Sequence, residues 1–113
     1  MKLQLKKFFT GKRLVEVEPI PDTFSLHQNF PNPFNPITTI YYDLPLDGKI
    51  EIIIHDILGR KVTTLVSGYY EKGYKTVQWK GLDQNGNKVS SGIYFYSLIS
   101  KDVRVSKKMV YLK

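Results

Sequence analysis

The stretch "KIEIIIHDILGRKVTTLVS" (residues 49–67) has the pattern of two β-strands joined by a tight turn. Ile50, Ile52 and Ile54 fall on one face of the first strand, and the intervening positions fall on the other, as in a half-buried strand. Gly59 lies in the turn, where glycine adopts a positive φ at little cost. The pattern predicts a β-hairpin whose apolar face needs further strands to cover it.

Other stretches share this alternation and are bounded by turn residues: "ITTIYYDLP" (37–45), "YKTVQWKG" (74–81), "GIYFYSLIS" (92–100) and "VRVSKKMVYLK" (103–113). Val77 and Trp79 share one face of their strand, so Trp79 is expected at the centre of the core. No segment has the period of a helix long enough to pack. The sequence therefore predicts an all-β protein, an immunoglobulin-like antiparallel β-sandwich of about seven strands without a disulfide.

The first residues differ in character from this body. "MKLQLKKFFTGKR" (1–13) is expected to be a strand or tail from something upstream, and "LVEVEPIPDTF" (14–24) a proline-containing linker. We predict two regions, an N-terminal tail and linker at 1–23 and a sandwich domain at 24–113. The basic start lacks the continuous apolar run of a signal peptide, which is expected of a fragment of a longer protein.

The net charge of +7 is unevenly distributed. Residues 1–13 carry five basic groups and no acid, residues 101–113 carry a net +4, and the segment between them carries a net −2. A nucleic-acid-binding domain places its basic groups on the folded body, often between exposed aromatic side chains. The clustering at the two ends therefore argues against nucleic acid as a partner.

Residues that could carry chemistry are scattered. His27 and His55 fall in different predicted elements, and neither has the second and third ligands of a zinc site nearby. The potential calcium ligands lack EF-hand spacing and favour turns instead: they are Asp56, Asp83, Asn85 and Asn87. The serines in turns lack a nucleophile motif: they are Ser67, Ser90 and Ser91. We expect no enzyme, no metal site and no cofactor.

A run of aromatic residues suggests a stacking platform for sugars or bases. Its candidates are Trp79, Tyr94, Phe95 and Tyr96. Adjacent residues of a strand point to opposite faces, so at least half of these rings are expected in the core. A carbohydrate-binding accessory module stays open as a minor alternative.

The stretch "NFPNPFNP" (29–36) directly precedes the first strong strand of the body. Its prolines fix φ and hold the residues before them extended, while its asparagines can hydrogen-bond the backbone where a ladder cannot. We expect Phe34, together with Phe30, to plug one end of the sandwich as a rigid lid. The alternative is that these rings form a recognition surface.

Four stretches together resemble a known family: "LHQNFPNPFNPITTIYYDLP", "IHDILGRKVTTLV", "GYKTVQWKGLDQNGNKVSSGIYFYSL" and "KKMVYLK". Their order resembles the type A C-terminal sorting domain of the type IX secretion system, which is related to the immunoglobulin-like module of flagellar hook-capping proteins. The resemblance covers about residues 24–113. It is carried by Pro31, Asn32, Pro33, Phe34, Asn35, Pro36, Asp56, Gly59, Arg60, Trp79, Gly92 and Tyr94. The sequence departs from the pattern at Lys80, where an aspartate commonly follows the tryptophan.

The resemblance implies a non-catalytic address at the end of an exported cargo protein of a Gram-negative bacterium. Such domains are read by an outer-membrane translocon and its shuttle protein, and a surface sortase typically removes them. The cargo reaches the cell surface or the medium through the periplasm. The residues that match the recognised terminus are Lys107, Lys108, Met109, Val110, Tyr111, Leu112 and Lys113.

The last strand also suggests a mechanism. A terminal strand can pair with an exposed edge of a partner. Its lysines are equally those of an ordinary edge strand protected against aggregation, and we expect both roles to coexist. The alternative function is a structural or adhesive sandwich that self-associates, or packs on a host enzyme, by strand pairing. The strand-like "KLQLKKFF" (2–9) would support such exchange.

Overall fold

The protein is described from a computed structural model. The structure describes the backbone of residues 6–10, 13–17 and 19–113, and the side chains of residues 19–113. The strands in chain order are β1 (Lys6–Thr10), β2 (Arg13–Val17), β3 (Ser25–Leu26), β4 (Thr38–Leu44), β5 (Gly48–Asp56), β6 (Lys61–Tyr70), β7 (Gly73–Trp79), β8 (Gly92–Ser100) and β9 (Val103–Tyr111). None of the described residues lies in a helix of the length and apolarity that a membrane crossing requires.

Seven of these strands form two antiparallel sheets. One sheet has the order β3-β4-β7, and the other has the order β6-β5-β8-β9. β5, β8 and β9 pair in one layer while β4 and β7 pair in the other, which is the arrangement of an immunoglobulin-like sandwich. The predicted fold class is confirmed.

The remaining two strands lie in the predicted tail. β1 and β2 pair with each other in an antiparallel hairpin, from Lys6 opposite Val17 to Thr10 opposite Arg13. The expectation of a linker over 14–24 is therefore wrong for its first four residues. "LVEV" has the strand-forming composition, and the prolines that exclude a regular ladder come only at positions 19 and 21.

The core follows the predicted alternation. In β5, Ile50, Ile52 and Ile54 are buried, while Glu51 on the opposite face is exposed. The β3-β4-β7 sheet supplies the facing side chains, and β8 and β9 add side chains on the same inner face as β5. Together these are Ile40, Tyr42, Leu44, Trp79, Tyr94, Tyr96, Leu98, Met109 and Tyr111. The core therefore contains side chains from strands spread along the chain from β4 to β9.

Candidate functional site

Residues 27–36, here called the strap, connect β3 to β4 and run along one edge of the sandwich. The first part of the strap is bonded to β4: the His27 N–H donates to the Tyr41 carbonyl over 2.9 Å. Phe30 and Thr39 exchange two backbone hydrogen bonds, each of 2.9 Å. The strap thus begins as an extension of the three-stranded sheet.

The second part of the strap is bonded to β9 in the other sheet. The Phe34 N–H donates to the Val110 carbonyl over 3.0 Å, and the Leu112 N–H donates to the Phe34 carbonyl over 3.1 Å. The Asn32 side-chain oxygen accepts the Val110 N–H over 2.9 Å, which replaces a ladder bond that the proline-rich backbone does not make. The strap therefore ties the two sheets together at one edge.

These bonds occupy the outer edge of β9 near its end. The Gln28 side-chain amide also donates to the Lys108 carbonyl over 2.9 Å. The Lys108 carbonyl, the Val110 N–H and carbonyl and the Leu112 N–H, which face away from β8, thus have partners in the strap. A partner strand that paired with this part of β9 would first have to displace the strap.

A buried polar network holds the strap from beneath. Asn29 is 2% exposed, and its N–H donates to the Tyr96 hydroxyl over 2.9 Å. The Tyr96 hydroxyl donates in turn to the His27 carbonyl over 2.6 Å. The Asn29 amide donates to the Thr38 hydroxyl over 2.9 Å, and that hydroxyl donates to the Pro31 carbonyl over 2.8 Å. Every member of this network is paired, so the strap has one defined position.

The Tyr96 hydroxyl at the centre of this network is hard to ionise because it is buried. Desolvation raises the pKa of Tyr96 to about 12, against the smaller opposing effect of the Asn29 N–H. Tyr96 therefore stays neutral at all physiological pH values and keeps its proton for the His27 carbonyl. The sequence did not predict that Asn29 and Thr38 belong to a buried network, because the local sequence does not distinguish a buried polar side chain from an exposed one.

Four aromatic rings meet beneath the strap. Phe34 stacks on Tyr111 with ring centroids 4.9 Å apart and contacts Trp79 at 5.5 Å. Trp79 meets Tyr94 edge-on at 5.2 Å. The strap, the end of β7, the start of β8 and the end of β9 each contribute one ring. This aromatic cluster closes one end of the core, as the lid interpretation of Phe34 expected.

Tyr94 and Trp79 also fix the loops beside the cluster. The Tyr94 hydroxyl donates to the Ser90 carbonyl four residues upstream over 2.6 Å, the geometry of a tyrosine corner. The Trp79 indole N–H donates to the Leu82 carbonyl over 2.9 Å. Gly81 has φ +69°, and a side chain there would meet the Tyr111 ring at 3.3 Å. The packing of Tyr111 in β9 therefore restricts position 81 to glycine.

The two phenylalanines of the strap have opposite environments. Phe34 is 2% exposed, whereas Phe30 is 72% exposed. The expectation that Phe30 also plugs the sandwich is wrong, because its backbone pairs with β4 in a position that directs the ring outward. The other motif residues of the strap are exposed: Pro31, Asn32, Pro33, Asn35 and Pro36.

The predicted terminal signal is only partly on the surface. Met109 is fully buried and Tyr111 is 3% exposed. Lys107 and Val110 are half-buried, and the exposed members are Lys108, Leu112 and Lys113. A partner that binds the folded domain can therefore read only part of this segment.

Asp56 organises the turn between β5 and β6. Its Oδ1 accepts the N–H groups of Leu58 (3.0 Å) and Arg60 (2.9 Å), and Oδ2 accepts the Arg60 Nε–H over 2.8 Å. Desolvation raises the pKa of Asp56, but the hydrogen bonds from Arg60 and Leu58 outweigh it and hold the pKa below its ordinary value. Gly59 has φ +82°, as the hairpin prediction required.

A second turn repeats this local structure. The Asp83 Oδ1 accepts the N–H groups of Asn85 (2.9 Å) and Asn87 (3.0 Å), and Gly86 again has φ +82°. Both sequences are D-x-x-G-x. The carboxylates that suggested calcium ligands are thus bonded to their own backbone.

The other candidate residues do not converge on a reactive site. His27 Nε2 lies 2.8 Å from Asp43 Oδ2, while His55 is half-buried near the end of β5. Among the side chains of residues 19–113, no three histidine, aspartate or glutamate groups lie close enough to hold a metal. Of the aromatic residues proposed for stacking, only Phe95 points outward, at 36% exposed. The stacking platform is therefore not formed.

Gly92 lies at the start of β8, opposite Tyr111 in the β8–β9 ladder. This register brings the S-G-x-Y-F-Y motif beside the C-terminal segment. A family model, described as the FlgD Ig-like domain, matches residues 38–102, which run from β4 to the β8–β9 turn. The chain belongs to the FlgD Ig-like domain family. The strap and all of β9 lie outside the matched residues.

Two solved structures resemble this FlgD Ig-like chain. Dimeric latent PorU from Porphyromonas gingivalis is 23% identical with a TM-score of 0.62, and the alignment covers 88% of this chain and 11% of PorU. PorZ from the same organism is 20% identical with a TM-score of 0.54, and the alignment covers 81% of this chain and 12% of PorZ. PorZ is described as an essential bacterial surface component of the type IX secretion system. The chain thus spans about an eighth or less of either protein, and no curated protein matches it.

Proposed function

We propose that this FlgD Ig-like domain is a non-catalytic sorting module that directs an attached cargo through a type IX outer-membrane translocon. One observation carries the proposal: two of the segments that resemble the sorting family meet at one edge. Residues 29–36 and 107–113 are far apart in sequence, yet they share backbone hydrogen bonds and a stacked ring pair. The likeness in fold to PorZ, a type IX secretion component, supports the proposal.

The proposal includes partners and a destination. The partners are the translocon with its shuttle protein, a surface sortase and the cargo itself, and nucleic acid is not among them. The destination is the cell surface or medium of a Gram-negative bacterium, reached through the periplasm. The module has no reacting groups of its own in this proposal, and its role depends on shape, backbone and exposed side chains.

The burial of the last strand determines how the proposal is tested. Deleting residues 107–113 would remove Met109 and Tyr111 from the core and release the strap. A truncated module would therefore fail because it is unfolded, whether or not its terminus is recognised. Substitution of exposed residues separates recognition from folding.

The experiment fuses the full chain to the C-terminus of an inert reporter that carries a signal peptide, in a host with this secretion machinery. We expect the reporter at the surface or in the medium, and its retention in the periplasm when the translocon gene is deleted. A fusion without the module gives the background. Surface reporter that is equal with and without the module would contradict the proposed function.

One observation favours the alternative function, self-association by strand pairing. Among the strands that the structure describes, β6 has a partner on one side only, and its segment Val66–Tyr70 pairs with β5 in continuous register. The nine residues 62–70 contain no charged side chain, whereas β9 contains three basic residues. An uncharged open edge is suited to pairing with another strand.

Light scattering over a hundredfold range of protein concentration tests this alternative. Self-association through β6 predicts a mass that rises with concentration and falls back to the monomer in Tyr69→Lys, which adds a charge to a 68% exposed position. A monomer at every concentration would contradict it.

A further inference from the structure

The outer face of the β3-β4-β7 sheet carries its side chains in three rows. The even-numbered residues of 38–44 are buried in the core, so Thr39, Tyr41 and Asp43 between them point outward from β4. Residues that pair across antiparallel strands point to the same face. The registers therefore set the outward rows, which run from β3 or the strap across β4 to β7: Ser25, Asp43 and Tyr74; His27, Tyr41 and Thr76; Phe30, Thr39 and Gln78.

Each row contains one residue with a benzene-type ring, and the three rings lie on a diagonal of the face. Tyr74 of β7 is opposite Asp43, two residues beyond Tyr41 in β4. Phe30 of the strap is opposite Thr39, two residues before Tyr41. Diagonal neighbours of this kind are about 7–8 Å apart. Phe30 is 72% exposed and both tyrosines are half-buried, so this aromatic diagonal presents its rings along one line of the surface.

Polar side chains flank every ring of the aromatic diagonal in its own row. They are Ser25, Asp43, His27, Thr76, Thr39 and Gln78. Apart from His27 and Asp43, which pair with each other over 2.8 Å between Nε2 and Oδ2, none of them carries a charge at neutral pH. The outer face of the β6-β5-β8-β9 sheet differs, because Glu51, Arg104 and Lys108 are exposed there. The rings of the three-stranded sheet are thus set among uncharged hydrogen-bonding groups.

We propose that this face of the domain is a binding platform for a neutral oligosaccharide. The C–H bonds on one side of a sugar ring stack on an aromatic ring, because the face of that ring carries partial negative charge. Sugar hydroxyls both donate and accept, as do the hydroxyl and amide groups beside each ring. Nucleic acid is matched by a basic face, and a protein partner by a continuous apolar centre. Rings separated by uncharged polar groups match a glycan instead.

The aromatic diagonal differs from the platform that the sequence suggested, since most of those earlier candidates are buried in the core. The line of its rings suits an extended chain of several sugar units, with one ring stacked on each end and Tyr41 between them. The inference adds a binding activity to the domain and does not depend on the sorting function.

The test measures binding of the purified full chain to an array of linear oligosaccharides. The array holds oligomers of glucose, mannose, galactose, xylose and N-acetylglucosamine, together with sulfated and uronic-acid oligomers. We expect binding to at least one neutral oligomer, with an affinity that rises with its length. Calorimetric titration with that oligomer should give the same affinity at low and high salt, because no counterions are released.

Variants locate the bound oligosaccharide on the sheet. Phe30→Ala and Tyr74→Ala, at the two ends of the aromatic diagonal, should each weaken its binding by about tenfold, the scale of losing an aromatic contact. Tyr69→Ala is the matched control, because Tyr69 is 68% exposed but lies in β6 of the other sheet, and its binding should equal that of the parent. The melting temperature of Phe30→Ala should lie within about 3 °C of the parent, as is usual at exposed positions. Should Tyr74→Ala prove unstable, Phe30→Ala decides the matter.

Four outcomes would overturn the inference. The first is an array on which no neutral oligosaccharide is bound. The second is binding to acidic oligomers alone that disappears at high salt, which would assign it to the basic ends of the chain. The third is parent-like affinity in a stably folded Phe30→Ala. The fourth is a dimer of the parent chain, seen by light scattering, that Phe30→Ala dissociates, since the face would then bind a second copy.

Discussion

Replacing Phe34 with alanine should remove a large part of the folding free energy. The ring is 2% exposed, stacks on Tyr111 at 4.9 Å and contacts Trp79 at 5.5 Å, so the surrounding cluster cannot collapse without breaking two ring pairs. Truncation of such a buried phenylalanine typically costs about 3–5 kcal/mol, from lost burial and the cavity left behind. The total free energy of unfolding of a domain of this size is roughly 5–15 kcal/mol.

The expected change in melting temperature follows from the size of the body. An unfolding entropy of about 2.1 cal/mol/K per residue gives roughly 0.2 kcal/mol/K over the described residues 19–113. A loss of about 3–5 kcal/mol then lowers the melting temperature by about 15–25 °C. Thermal and urea unfolding followed by circular dichroism measure both quantities. Phe34→Leu should cost about 1.5 kcal/mol of unfolding free energy, so its stability can still be measured if the alanine variant is unfolded.

The control for this experiment lies in the same strap. Phe30→Ala removes the same atoms from a ring that is 72% exposed, and its cost should stay within about 0.5 kcal/mol. Equal losses in the two variants, or a loss below about 1 kcal/mol for Phe34→Ala, would refute the assignment of one ring to the core and the other to the surface.

Three further predictions concern a turn, a carboxylate and a hydroxyl. Gly59→Ala should lower the free energy of thermal unfolding by about 1–2 kcal/mol, because Gly59 has φ +82° even though there is room for a side chain. Gly48→Ala, where there is also room but φ is not positive, should lower it less. For Asp56→Asn, the stability difference from the parent in urea unfolding should be present above about pH 4 and vanish as the pH falls through the lowered folded-state pKa; a constant difference would contradict this. Tyr96→Phe should cost about 1–3 kcal/mol in urea unfolding, since it leaves the Asn29 N–H and the His27 carbonyl without their partner, and a neutral effect would count against the network. Because burial raises the Tyr96 pKa to about 12, its stabilisation should be complete below about pH 10 and be lost toward pH 12, a loss that is absent in Tyr96→Phe.

The strands were predictable because their signal is local. Alternation in "KIEIIIHD" and "YKTVQWKG" placed Ile52 and Trp79 in the core, and the tight turn after β5 placed Gly59 at a positive φ. Each of these features depends on residues within a few positions of one another. The fold class followed from them once the strands were counted.

The strap was predictable only in part, because its signal is not local. Phe30 and Phe34 are the same residue type, and each lies between an asparagine and a proline, so nothing nearby separates the buried ring from the exposed one. Their fates depend on which sheet each backbone pairs with, and those partners lie at Thr39 and Val110. Met109 was grouped with the recognised terminus from its sequence match alone, and the structure buries it.

The pairing of the strap with β9 has a consequence for synthesis. Partners about 80 positions apart, such as Gln28 and Lys108, cannot meet while the later one is still inside the ribosome. Long-range closure of this kind also slows folding. A polypeptide that is released before Tyr111 is translated would leave Phe34 without the ring that stacks on it and expose this end of the core to proteases. Closure of this end of the core would thereby depend on translation having passed β9.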